Sequence, residues 1–157
     1  MMEFKTLAVR FLSEIKPDTV QQYLMSIGAA IGLVLSIVLG GIDKMIWALF
    51  ILAVADYILG TIAAFHGGEW DSNTGFRGIG KKCIIFAFVG IAVGVDYTLG
   101  SGQTFRQIII GAYGVNEAGS IIENIDKLGF GHIIPASMRH GLARLKETAD
   151  KGEKVKL

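Results

Sequence analysis

Residues 23–42 read YLMSIGAAIGLVLSIVLGGI, and after only Asp43 and Lys44, residues 45–65 read MIWALFILAVADYILGTIAAF. The first run carries no charge and the second carries one. A helix rises ~1.5 Å per residue, so about 20 residues cross the ~30 Å hydrocarbon layer. Two such runs joined by two charged residues are a transmembrane helical hairpin, since a small water-soluble domain has no need of consecutive helices this uniformly apolar. The function belongs in a membrane.

Composition agrees. The hydrophobic fraction is 52 % and mean hydropathy is +0.51. The 21 glycines are spread through the apolar runs and not gathered in a linker, a habit of membrane helices. The single Cys83 excludes an internal disulfide framework, and with no His cluster at ligand spacing no metal site is expected. Nor is any cofactor or nucleic-acid partner. A cleaved signal peptide does not fit, because the first apolar run starts at Tyr23, follows a mixed-charge stretch and exceeds a typical signal core.

Outward from the hairpin, Phe4, Leu7, Ala8, Phe11, Leu12 and Ile15 recur at helical spacing before Pro17, which predicts an amphipathic helix on the membrane surface over residues 1–20. After His66-Gly67-Gly68 the segment through Lys82 is polar and glycine-rich and reads as a loop. A third span runs from Cys83 to about Gly100 and a fourth from Gln107 to about Asn124. Pro135 then opens a basic helical tail, with Met138, Leu142 and Leu145 on one side. The reading is one all-α integral membrane domain over residues 1–157: an interfacial segment, a transmembrane region over 21–126 and a tail over 127–157.

Lys and Arg resist translocation. Four spans put the N-terminal segment, the Arg77, Lys81, Lys82 loop and the tail on one face, holding thirteen of the fifteen basic residues and leaving Lys44 and Arg106 opposite. Three spans would carry the tail across. The expected arrangement is therefore four spans in a bacterial cytoplasmic membrane with both termini inside.

An ionisable group at the bilayer centre costs roughly 2.5–3.5 kcal/mol on insertion scales, so it faces a partner or water. Asp56, midway along its span, is such a group; Asp96, near the outer end of the third span, can reach the interface. In the fourth span Asn116, Glu117, Ser120, Glu123 and Asn124 fall within an arc of about 120°, opposite Val115, Ala118, Ile121, Ile122 and Ile125. That arc must meet polar helices or water, either as a static hydrogen-bond network or as the future lining of a pore. Gly28, Gly32, Ser36 and Gly40 recur every fourth residue through the first span, and Gly90 and Gly94 repeat the spacing in the third, which allows close helix association.

Residues 75–82, GFRGIGKK, miss the phosphate-loop pattern at the last position and lack a preceding strand; a basic loop able to contact anionic lipid headgroups is the better reading. His66, His132 and His140 are scattered, and no nucleophile has a partner. Catalysis is the least favoured class.

Asp56-Tyr57-x-x-Gly60, then Ser72-x-x-Gly75-x-x-Gly78-x-x-Lys81-Lys82, then Asn116-Glu117-x-x-Ser120-Ile121-x-Glu123-Asn124 with Gly129 and Pro135 together resemble the phage-lysis and toxin-secretion holins of Gram-positive bacteria and their phages. The resemblance covers about Ala48 to Pro135. It implies a protein that accumulates in the cytoplasmic membrane, assembles with itself and opens lesions that release an endolysin or a large toxin as passing cargo. The rival is a small ion or solute channel or transporter using Asp56 and Glu117; a membrane scaffold is a third.

Overall fold

The computed structural model describes residues 19–153, with side chains from Thr19 to Thr148. Five α-helices follow one another: α1 Thr19–Val38, α2 Lys44–His66, α3 Ser72–Leu99, α4 Thr104–Lys127 and, after a 3-10 turn at Gly131–Ile133, α5 Ala136–Glu153. Among the described residues there is no strand. The surface helix expected before Pro17 lies outside them. Three helices, α1, α2 and α3, are long and apolar enough to cross a membrane, which makes the chain a helical membrane protein. With 24 residues α4 has the length, but Arg106, Glu117, Glu123, Asp126 and Lys127 keep it from the same class.

The chain divides into two compact units, residues 1–37 and 38–157. Helix α1 ends at Val38, four residues short of the expected Ile42. The expected glycine stripe is corrected with it. Gly28, Gly32 and Ser36 do lie along α1, but Gly40 stands beyond the helix with φ +70°, in the left-handed region that favours glycine.

In the second unit α4 is the centre. It packs most extensively on α2 and next on α3, while α2 and α3 touch each other little. Leu39, Ile46, Leu49, Ile85, Val89 and Ile110 form the apolar core of this wedge. The most polar of the long helices thus takes the middle, because its neighbours supply both apolar contact and charge. Gly90 lets α3 approach Val38, since a Cβ there would sit 3.1 Å from Val38 Cγ1, whereas Gly94 faces open space.

The end of the wedge at the α1–α2 turn is closed by Arg106. This side chain is 1 % exposed; it donates to Leu39 O at 2.6 Å, Gly41 O at 2.9 Å and Asp43 Oδ2 at 2.7 Å. A side chain at Gly40 would collide with Val93 and Arg106, so glycine both turns the chain and leaves the guanidinium room. Asp43 also caps α2, accepting from Met45 N and Ile46 N. The Arg106 guanidinium holds its carboxyl down to about 2 from an ordinary 3.8. Asp96 is buried and accepts from Ser101 Oγ, Phe105 N and Arg106 N at 2.6, 3.0 and 2.8 Å. A carboxylate at a helix start satisfies donors that the helix leaves free.

Candidate functional site

At the other end, the α2–α3 turn decides what the polar residues meet. Phe65 stacks on Trp70, centroids 4.5 Å apart, and Asp71 caps α3 by accepting from Thr74 N at 2.5 Å. The helix therefore begins at Ser72, so the expected loop of Ser72, Gly75, Gly78, Lys81 and Lys82 is helical. The glycines are tolerated because aromatic rings occupy the space beside them. A Cβ on Gly75 would lie 2.7 Å from Trp70, and one on Gly78 would lie 3.0 Å from Tyr57.

Extending α3 by these turns carries Lys82 into the protein. Its ammonium donates to Asp56 Oδ2 at 2.5 Å and to Glu117 Oε2. Asp56 Oδ1 accepts from Asn124 Nδ2 at 3.0 Å. Glu117 is wholly buried, and its Oε1 has no hydrogen-bond partner; the Lys81 ammonium stands 3.8 Å away. Asp56 lies ten residues before the end of α2, Lys82 ten after the start of α3 and Glu117 ten before the end of α4. At 1.5 Å per residue each is ~15 Å from its helix end. The three helices thus bring their charges to one level, ~15 Å from these helix ends.

A cavity of about 180 Å³ opens beside this cluster, lined by Asp56, Tyr57, Thr61, Trp70, Lys81 and Lys82 among others. Gly60, Gly78 and Asn124 complete much of the wall. Seven of the sixteen motif residues that carried the resemblance, far apart in sequence, surround one space.

The polar arc of α4 divides. Glu117 and Asn124 turn into the cluster, and Ser120 is half-buried. Glu123 is exposed and pairs with Lys146 of α5 at 3.3 Å; Asn116 is exposed without joining either group. Next to this, Arg139 holds Asp126 with two bonds of 2.7 and 2.5 Å. Both ion pairs lay α5 back along the end of α4.

Sequence reasoning missed two roles. Lys82 was placed in a loop, although its position as the last charge before the apolar run from Cys83 was a usable signal. Arg106 was counted only as an outer charge; nothing local to it announces three backbone and side-chain partners more than sixty residues away. Among the described residues no group of His, Cys, Asp and Glu could hold a metal ion.

Comparison with known proteins comes to the same stretch. An uncharacterized protein of Listeria innocua is 40 % identical over 98 residues, 62 % of this chain and 70 % of the relative. One of Clostridium perfringens is 35 % identical over 116 residues, 73 % and 84 % respectively. A second from that species, described as an uncharacterized 14.9 kDa protein in the nagH 3′ region, is 33 % identical over 117 residues, 74 % and 87 %. No solved structure matches. A family model, that of the bacteriophage holin family, matches residues 33–147.

Proposed function

The chain belongs to the bacteriophage holin family, and from that premise we propose that it accumulates in the bacterial cytoplasmic membrane, associates with copies of itself and opens lesions through which an endolysin or a large toxin escapes. The observation that carries this reading is the level at which Asp56, Lys82 and Glu117 meet. Charges cost little in water and much in lipid. Turned inward and paired, they make a single chain compatible with the bilayer. In an assembly that encloses water the same groups gain a second favourable setting, so one sequence supports a closed bundle and a wetted pore.

Four spans with both termini inside is the topology that goes with this function. What supports α4 as the fourth is its length of ~36 Å and its one mid-helix charge, Glu117, being shared with Lys82 and covered by neighbouring helices. Arg106 and the Glu123, Asp126, Lys127 group lie toward opposite ends. A selective channel coupled through Asp56 and Glu117 fits less well, because Lys82 already occupies both carboxylates.

Induced expression in bacteria, with membrane potential and release of a cytoplasmic enzyme followed together, tests the proposal. Abrupt collapse of the potential together with enzyme release is expected. A fall in potential with no protein release would replace the lesion reading by a small-ion channel.

A further inference from the structure

The cavity beside the charge cluster has an inventory that points to a ligand. Lys81 is more than half exposed. Its ammonium is too far from Glu117, at 3.8 Å, for a hydrogen bond, so all three N–H groups remain available. Three further donors belong to lining residues: the Tyr57 hydroxyl, the Thr61 hydroxyl and the Trp70 indole N–H. None of the three bonds another group among the described residues. Two aromatic rings and a carboxylate, Asp56, share the wall. Rings of this kind attract a cation over their faces, and an ammonium matches free donors on a phosphate.

Charge narrows the choice. Asp56 and Glu117 balance Lys81 and Lys82, so the site is formally neutral before anything enters. A monoanion would leave one excess negative charge beside the Glu117 carboxylate. A zwitterion leaves none.

Position narrows it again. Trp70 precedes α3 and Lys81 stands nine residues into it, so the cavity runs from the helix end to ~14 Å below it. At 28 residues α3 is ~42 Å long, the thickness of a bilayer with its headgroup layers. The opening thus lies at the headgroup and upper acyl depth, where Lys81 can extend its ammonium outward. The volume of about 180 Å³ suits a headgroup.

We propose that this cavity binds the phosphoethanolamine headgroup of a zwitterionic phospholipid from the surrounding leaflet, its phosphodiester on Lys81 and the hydroxyl donors and its ammonium toward the Tyr57 and Trp70 rings. The assignment rests on the membrane placement proposed above but not on lesion formation.

Native mass spectrometry of the full chain released from detergent tests it, with dioleoyl-phosphatidylethanolamine, dioleoyl-phosphatidylglycerol and water-soluble glycerophosphoethanolamine as separate additions. One phosphatidylethanolamine per chain should be retained, about tenfold more strongly than phosphatidylglycerol. Lys81→Gln should abolish the preference. Thr61→Val, which deletes a hydroxyl that no described protein group uses, should weaken retention with the melting temperature unchanged. Equal retention of the two lipids, or retention unaltered in both variants, overturns the site. Displacement of the lipid by equimolar glycerophosphoethanolamine overturns the lipid source in favour of a soluble zwitterion. Enzyme release is not part of the readout, so loss of lipid binding leaves the holin reading standing and loss of leakage leaves the lipid site standing.

Discussion

Replacing Lys82 by methionine removes the one cation that both buried carboxylates share. Asp56 and Glu117 bond the same nitrogen, so their oxygens lie within roughly 5 Å of one another. At an effective dielectric of about 20, two unit charges at that distance repel by ~3 kcal/mol. Breaking a buried ion pair by deleting one partner typically costs about 3–5 kcal/mol, so the two routes agree on magnitude. The loss is large beside the ~5–15 kcal/mol that holds a typical domain together. Lys82→Met should therefore melt well below the parent chain in detergent and reach the membrane in smaller amount. The same substitution combined with Asp56→Asn and Glu117→Gln should recover most of the loss, since no charge is then stranded and the amides retain hydrogen bonding. Thermal melting of the purified chain, beside quantified membrane-inserted protein, reads both. The reasoning is refuted if Lys82→Met melts with the parent, or if the triple substitution is no better than the single one.

Gly78→Leu should force the Tyr57 ring aside and part α2 from α3, at about 1–3 kcal/mol for overpacking, whereas Gly94→Leu, which meets open space, should leave melting unchanged; the pair is read by the same melts. Asp43 has a depressed pKa in the folded chain, so its bond to Arg106 contributes fully above the ordinary value of 3.8 and is lost as pH falls toward about 2. Acid melting of Asp43→Asn should lack the part of the pH dependence that falls in that window, while the parent retains it.

Local periodicity and hydropathy decide features that need only neighbours in the chain. Runs of twenty apolar residues identify α1 and α2 as membrane helices, and the 100° repeat marks α4 as two-faced, because the cost of a polar group in lipid does not depend on which neighbour relieves it. The motif spacing was enough for the family. Tertiary structure decided what those polar groups meet. Whether residues 72–82 form a loop or a helix turned on rings from Trp70 and Tyr57 filling the space beside Gly75 and Gly78, contacts that a glycine-rich stretch does not announce. That extension delivers Lys82 to Asp56 and Glu117, pairings 26 and 35 residues apart in sequence. Arg106 likewise closes a turn more than sixty residues away. Electrostatic partners act through space, and only the packing of α4 between α2 and α3 places these charges within reach of one another.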